Sequence, residues 1–302
     1  MRRHLLGAAA AAFAVFTSTP ALACTEIASL PATIDSPGRY CLASDLSTPA
    51  TQGAAITLAS DDIHLDCGGL KIEGSAAAAT TSATGISAGQ HDNVQVWRCT
   101  VQGFRKGIVA GTDATGADAP VGIVLRSNRL VGNHAGGIVV AARSALVRDN
   151  QVLDTGYTST STEPVVAIRA SGTVDVLSNQ VDVLWEPEDV FAPVIGIAVE
   201  GSQGGVIADN QVRGLFSRVS RVGIRVSGPG YATLQRNFVA AHFPSAASND
   251  MAFECLGALG VLDGNQAAAF ETGNAGCRDA GGNTFTESKA AGPAAAKPGV
   301  LR

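Results

Sequence analysis

Eight acidic, basic and aromatic residues in the middle of the chain have the side chains best suited to chemistry. They are Tyr157, Arg169, Trp185, Glu186, Glu188, Asp189, Glu200 and Arg225. An exposed indole beside carboxylates can stack on a sugar ring and bind its hydroxyl groups, and guanidinium groups bind the carboxylates of acidic sugars. The set predicts a groove that binds or acts on a polysaccharide, with an acidic polymer as one candidate. The competing interpretation is a solvated strand surface beside an ordinary acidic loop.

Two enzymatic reactions would use these side chains in different ways. A polyuronate lyase holds Ca²⁺ against the acid group of its substrate, and the candidate ligands are Glu186, Glu188, Asp189 and Glu200. It also needs a base for the proton next to that acid group, a role open to Arg169 or Arg225. A glycoside hydrolase needs two carboxylates that face each other across the scissile bond. The catalytic residues stay unassigned, and Ca²⁺ enters only with the lyase interpretation.

A repeated asparagine identifies the elements that must position this groove. It recurs in a V-x-x-N-x-V-like frame with spacings of 22, 29, 31, 27 and 28 residues. The six positions are Asn128, Asn150, Asn179, Asn210, Asn237 and Asn265. A short strand, usually beginning Gly-Ile, precedes most of them. Such strands cannot bury a face alone and must stack on the same strand of the next unit, with the asparagine amides stacked at the bend.

The first units of the repeat resemble a known superfamily. Residues 61–74, DDIHLDCGGLKIEG, precede NVQVWRCTV at 93–101, where Cys99 takes the place of the asparagine. This opening and the asparagine units after it resemble secreted proteins of the pectate-lyase-like superfamily, over roughly residues 24 to 285. The resemblance implies an all-β chain folded as a single-stranded right-handed parallel β-helix. It implies no reaction, because the superfamily includes lyases, hydrolases, epimerases and adhesins, and the Gly-His-Gly, Arg-Ile-Lys and Asp-Pro-His motifs of its enzymes are absent.

The chain divides into four predicted segments. Residues 1–23 have the basic start, short apolar stretch and small-residue cleavage site of a signal peptide. An N-terminal cap is predicted for 24–60, the β-helix for 61–270, and a C-terminal cap with a loose tail for 271–302. The protein is expected to be exported to the periplasm or secreted, without a membrane span, because the apolar stretch is shorter than about 20 residues. A lipoprotein is the alternative, disfavoured because Ala21 stands where such signals have leucine.

Six cysteines in the exported part predict disulfide bonds. Cys24 with Cys41 and Cys255 with Cys277 form local pairs that would close the two caps, and the pairing of Cys67 and Cys99 stays open. Zinc is disfavoured because no C-x-x-C motif occurs.

The remaining charged residues are assigned to structure or receive no role. The acidic and histidine residues near the N-terminal cap are predicted to mark turns: Asp61, Asp62, His64, Asp66, His91 and Asp92. His134 and His242 are isolated. The net charge of −5 and the lack of a basic cluster disfavour nucleic acid as a partner, and a monomer is expected. The alternative to a polysaccharide function is a structural or surface-interaction protein that uses the solenoid as a rigid spacer.

Overall fold

The computed structural model describes residues 24–74, 80–112, 118–156, 163–186, 191–241 and 249–287. These residues form 29 β-strands and no helix, and all the strand pairings are parallel. Each complete coil contributes three strands, and each strand pairs with its counterpart one coil away. The predicted right-handed parallel β-helix is confirmed.

The first sheet contains the Gly-Ile strands and their counterparts at both ends. Its strands are β2 (Ala32–Ile34), β5 (Ala54–Leu58), β8 (Thr84–Ser87), β11 (Lys106–Ala110), the first halves of β14 (Gly136–Arg148) and β16 (Val165–Leu177), β18 (Val194–Glu200), β21 (Arg221–Ser227), β24 (Asp250–Leu256) and β27 (Thr272–Ala275). Because β14 and β16 continue into the second sheet, the first two sheets are joined there.

The second sheet contains the strands that precede the asparagine bend. Beside the second halves of β14 and β16, it consists of β1 (Thr25–Ile27), β3 (Gly38–Leu42), β6 (Ile63–Asp66), β9 (Gln95–Trp97), β12 (Val121–Arg126), β19 (Gln203–Ala208), β22 (Tyr231–Gln235), β25 (Leu259–Asp263) and β28 (Arg278–Gly281).

The third sheet follows the bend and has ten strands. They are β4 (Leu46–Ser47), β7 (Lys71–Glu73), β10 (Thr100–Gln102), β13 (Arg129–Val131), β15 (Gln151–Gly156), β17 (Gln180–Trp185), β20 (Gln211–Phe216), β23 (Phe238–Ala240), β26 (Gln266–Phe270) and β29 (Thr284–Glu287).

The core is a stack of apolar side chains enclosed by the three sheets. Ile168, Ile197 and Ile224 are fully buried and in register on three successive coils. Side chains on a strand alternate between the two faces, so the residues that follow these isoleucines, Arg169, Ala198 and Arg225, point out of the solenoid. Register therefore decides which residues line the outer surface.

The asparagines form a continuous ladder inside the bend between the second and third sheets. From Asn128 to Asn265, each Nδ2 donates to the Oδ1 of the next asparagine at 2.9–3.0 Å. The same Nδ2 donates to a backbone carbonyl of the preceding coil, as Asn179 does to Val147 at 3.0 Å. The ladder ends at Asn283, which the repeat did not reveal because its sequence, AGGNTF, lacks the V-x-x-N frame.

Each ladder asparagine follows a residue in the left-handed backbone conformation. Ser127, Asp149, Ser178, Asp209 and Arg236 have φ between 49° and 58°. Glycine takes this position in the last two coils. The left-handed residue reverses the chain, so that the amide after it turns inward while its own side chain stays outside.

All six cysteines are paired. Cys24–Cys41 and Cys255–Cys277 form as predicted, and the third bond joins Cys67 to Cys99. Cys67 and Cys99 occupy the bend on the two coils before Asn128, and the Cys99 N–H donates to the Oδ1 of Asn128 at 3.0 Å. This buried disulfide therefore continues the ladder toward the N-terminus.

Parallel pairing extends into both predicted caps. Strand β1 pairs with β3 near the start, and β27 to β29 extend the sheets beyond residue 270. The outermost coils are closed by disulfides at Cys24 and Cys277 and not by a separate capping element in the described residues. The exact cap limits stay predictions, and residues 1–23 lie outside the described residues. In the part of the chain that the structure describes, no helix is long and apolar enough to cross a membrane.

Candidate functional site

The two arginines of the predicted groove lie in one outward column of the first sheet. Arg169, Ala198 and Arg225 are in register on successive coils, followed by Glu254. With neighbouring strands about 4.8 Å apart, the strands that carry the two arginines are about 10 Å apart. The predicted spacing along the solenoid axis is therefore present.

Each of these arginines has a carboxylate partner on the next coil. Arg169 Nη1 lies 3.1 Å from Glu200 Oε1, with both side chains more than one third exposed. Arg225 pairs with Glu254, whose side chain is nearly buried. The face therefore presents alternating charges along the axis and not a row of bare cations.

The acidic loop supplies fewer accessible groups than its composition indicates. Glu186 is buried, and its carboxylate accepts hydrogen bonds from Ser217 Oγ at 3.1 Å and from the Arg218 N–H at 2.7 Å. It also pairs with the Arg218 guanidinium. The expectation that Glu186 is a free ligand is wrong, because these bonds fix the turn after β20.

The calcium alternative receives no support from the described residues. Among them, no group of three or more His, Cys, Asp or Glu side chains could hold a metal ion. Three of the predicted groove residues, Tyr157, Glu188 and Asp189, lie outside the described residues.

Trp185 is packed against its neighbour on the next coil. Its ring stacks on Phe216 with centroids 4.1 Å apart and an interplanar angle of 12°, and the residue is half-buried. The prediction of an exposed indole is therefore wrong, since in-register aromatic residues on adjacent coils meet face to face. The exposed ring nearby belongs to Phe191, which is 65% exposed and has the Arg218 guanidinium 4.2 Å from its centre.

Part of the first sheet is covered on its outer side. Val166, Ile195 and Val222 are in register, and with Ala198 they form a buried cluster separate from the solenoid core. Ala192, in the loop that precedes β18, is also fully buried. The column of Val166 is therefore shielded from solvent. In the Arg169 column, Ala198 is buried with it, whereas Arg169 and Arg225 stay partly exposed.

An ion pair is buried next to this covered column. The Arg221 guanidinium binds Asp250 on the next coil, with Nε 3.0 Å from Oδ2, and both side chains are at most 4% exposed. The two preceding coils carry Val165 and Val194 at the same position. The pair therefore fills a position that apolar residues fill elsewhere.

Lys106 is a cation of this face that the sequence did not single out. Burial lowers the pKa of its amine, the nearby Arg105 and Arg169 lower it further, and Glu163 opposes them. Arg105 is itself 3.1 Å from Glu163. The signal was present in the strand KGIVA, where Lys106 has an outward position beside the Gly-Ile pair.

His134 lies in the bend just before β14. Burial lowers its pKa, which keeps the imidazole neutral.

The acidic residues near the N-terminal cap fasten turns between coils. Asp61 Oδ1 accepts the Asp92 N–H at 2.9 Å and lies 3.3 Å from His91 Nδ1. Asp92 in turn accepts the Val121 N–H at 2.8 Å. Asp62 Oδ1 accepts a hydrogen bond from Asn93 Nδ2, in the turn one coil further, at 2.9 Å. These contacts agree with the turn role expected for Asp61, Asp62 and Asp92. The same expectation is wrong for His64, which lies inside strand β6.

A shallow depression of about 320 Å³ lies at the N-terminal end of the solenoid. Residues 25–29, 31–35 and Tyr40 line it. Thr33 belongs to the same outward column as Arg169 but five coils earlier, or about 24 Å away. The depression is therefore remote from the arginine column.

Comparison with known proteins gives limited likeness. No family model matches the chain, and neither does any curated protein. Among solved structures, the A-module of mannuronan C-5 epimerase AlgE6 from Azotobacter vinelandii is 10% identical, with 83% of this chain and 84% of that chain covered and a TM-score of 0.44. An endo-xylogalacturonan hydrolase from Aspergillus tubingensis is 10% identical, with 88% and 86% covered and a TM-score of 0.32. This likeness assigns neither a subfamily nor an activity.

Proposed function

We propose that this chain is an exported protein that binds an acidic polysaccharide along the outward face of the first sheet. The observation that supports the proposal most is the spacing of Arg169 and Arg225, which stand two coils apart in one column. A span of about 10 Å lets the two guanidinium groups hold two different carboxylates of one acidic polymer. Three disulfides support export, because such bonds persist in oxidising compartments.

Binding would replace the internal partner of at least one arginine. An exposed ion pair is worth about 0–1 kcal/mol, so a sugar carboxylate can displace Glu200 from Arg169 at small cost. The guanidinium can then hold the incoming carboxylate through two parallel hydrogen bonds. Arg225 is less exposed and its partner Glu254 is nearly buried, so it would act mainly as a fixed positive end of the site.

The proposal is one of binding. In the described part of this face, the glutamates of the arginine pairs, Glu200 and Glu254, are both engaged in ion pairs. Glycoside hydrolysis needs two carboxyl groups that are free to act as acid and base or nucleophile.

The same ion pairs favour a second candidate function. A face whose arginines are matched by glutamates on the next coil is what a rigid structural or surface-interaction solenoid would need. In that case the pairs would only hold adjacent coils together.

Calorimetric titration with oligogalacturonate, oligoalginate and a neutral cello-oligosaccharide separates the two candidates. We expect the acidic oligomers to bind and the neutral one not to bind. The double variant R169A/R225A should bind at least tenfold more weakly, and its melting temperature should fall because the nearly buried Glu254 loses its partner. The single variant R169A breaks only an exposed pair, so it should lose affinity with a nearly unchanged melting temperature. Its matched control is R129A/R213A, which removes two exposed arginines from the third sheet and should bind as the unchanged protein does.

Two results would contradict the polysaccharide proposal. One is the absence of binding to every acidic oligomer. The other is an equal loss of affinity in both double variants, which would show only a general effect of charge. A lowered melting temperature in R169A, together with no binding of any acidic oligomer by the unchanged protein, would favour the structural candidate.

A further inference from the structure

A second group of polar and aromatic side chains lies on the outer face of the second sheet, near the N-terminal end. Arg39, His64 and Gln95 are in register on β3, β6 and β9. In the neighbouring outward column, Trp97 on β9 is in register with Arg126 on β12. None of these residues belongs to the groove predicted from the sequence, and they face away from it on a different sheet.

The two rings of this group form its floor. The His64 and Trp97 rings meet edge to face, with centroids 4.0 Å apart and an interplanar angle of 66°. The guanidinium carbon of Arg126 lies 4.2 Å from the centre of the indole. Trp97 is therefore held between an imidazole and a guanidinium.

Two polar atoms of this floor have no hydrogen-bond partner. In the described part of the chain, His64 Nε2 and Trp97 Nε1 are the two shielded side-chain nitrogen or oxygen atoms without one. Leaving a polar atom shielded and unbonded costs free energy, so native proteins rarely retain such atoms without a reason. Here both unbonded atoms occur side by side, beneath an exposed arginine.

The arginines around the floor differ in whether they have a carboxylate partner. Arg98 binds Asp66, with Nε 2.9 Å from Oδ1, and Arg148 binds Asp149 at 2.9 Å. Arg39 and Arg126 are exposed and have no ion-pair partner within the described ranges. Two guanidinium groups thus remain able to meet an external anion.

Both of these guanidinium groups belong to strands around the imidazole: Arg39 is in register with His64 on the adjacent coil, and Arg126 lies over the indole that His64 contacts. Burial lowers the pKa of His64, Arg39 lowers it next, and Arg126 and Arg98 lower it further. Asp66 opposes them, but Arg98 and the Gly68 N–H bind its carboxylate and lower its own pKa. The imidazole is therefore neutral near neutral pH, in a positive surrounding.

We infer that this face is a binding site for an anionic group, a carboxylate, sulfate or phosphate, held by Arg39 and Arg126 above the His64–Trp97 floor. Arg126 is exposed and its guanidinium lies over the indole, so it can turn toward an anion, and the unbonded Trp97 N–H beneath it is a further donor. The two neighbouring columns together supply what such a site needs: two positive charges, an unbonded N–H donor and a floor of two packed rings. The inference does not depend on the function proposed for the first sheet.

The experiment follows His64 by NMR during titration with sulfate, phosphate and trigalacturonate, each compared with chloride at equal ionic strength. A bound anion favours the charged imidazolium, so the pKa of His64 should rise. The His64 signal is assigned with His64→Gln. Arg126→Gln and Arg39→Gln should each weaken binding about tenfold, and Trp97→Phe should weaken it while keeping a ring in the floor.

Arg148→Gln is the matched control. It removes an arginine from the same column one coil further, where Asp149 already binds the guanidinium, and it should leave affinity unchanged. Tighter binding of sulfate or phosphate would identify a free anion as the ligand, and tighter binding of trigalacturonate an acidic saccharide. No anion effect beyond that of chloride, or equal losses for Arg126→Gln and Arg148→Gln, would overturn the inference. R169A/R225A should bind these anions normally, so the two sites can fail separately.

Discussion

Removing one amide from the ladder tests the physical basis of the fold. In Asn179→Ala, the Asn150 N–H loses the Oδ1 that it reaches at 3.0 Å, and the Val147 carbonyl loses the Nδ2 that it accepts at 3.0 Å. Asn179 is fully enclosed, so water does not replace these bonds without entering the core. The variant should therefore leave two buried backbone groups unsatisfied.

The expected cost follows from those two groups. An unsatisfied buried donor or acceptor costs about 1–3 kcal/mol, so the free energy of unfolding should fall by about 2–6 kcal/mol. For a domain of this size, each kcal/mol corresponds to about 2–4 °C, which predicts a melting temperature lower by on the order of 10 °C. Circular dichroism and chemical denaturation would measure both quantities.

Gln180→Ala is the control for this measurement. The residue follows Asn179 directly, but its side chain points out of the third sheet, so the change should stay within about 0.5 kcal/mol. Asn179→Asp keeps the acceptor and loses the donor, and its charge would face the Val147 carbonyl. Its folded-state pKa should therefore be raised, and its destabilisation should ease as the pH falls through that value. A melting temperature for Asn179→Ala equal to that of Gln180→Ala would refute the ladder argument.

Three further changes test other parts of the solenoid. Because φ is 54° at Ser178, Ser178→Gly should leave the free energy of unfolding unchanged or raise it. Ser178→Val should lower the free energy of unfolding by about 1–2 kcal/mol, and a valine variant more stable than the unchanged protein would contradict this reasoning. Asp250→Asn should lower the free energy of unfolding by about 3–5 kcal/mol because the buried Arg221 loses its charged partner, whereas R221V/D250V should lower it far less. Coinciding denaturation curves for these two variants would contradict this prediction. Arg236 lowers the pKa of Asp209, so this pair stabilises the fold above the ordinary aspartate pKa of about 3.9 and stops doing so as the pH falls through the lowered value. Asp209→Asn should therefore lower the melting temperature near neutral pH but not in strong acid, and an equal effect at both would disprove the coupling.

The fold could be predicted because one residue type marks the bend on six successive coils. An asparagine at intervals of 22 to 31 residues has few explanations other than stacked coils, and the alternation around it identifies the inward positions. The sequence repeat did not identify Asn283, because glycines replace the strand residues before it. The strand that carries Glu254 was not recognised as a member of the Gly-Ile repeat, because it has Ala-Phe in place of Gly-Ile.

The state of the candidate site could not be predicted, because it depends on contacts between coils of unequal length. Arg218 and Glu186 are 32 residues apart and Arg225 and Glu254 are 29 apart, so no fixed spacing connects the partners. The segments that precede the Gly-Ile strands have no apolar period and vary most in length. Sequence patterns therefore located the outward column of Arg169 but not the partner that each charge finds.

In a solenoid, the charges that lack a partner are better guides to a ligand than the charges that are most numerous. Stacking places every outward side chain about 4.8 Å from the next coil, so an arginine readily finds a carboxylate there, as Arg225 and Arg98 do. A ligand at the first sheet must displace such a partner, whereas a ligand at Arg39 and Arg126 need not. We therefore expect small anions to bind the second sheet more tightly than the first, and a stronger effect of R169A/R225A than of Arg126→Gln on sulfate binding would reverse that order.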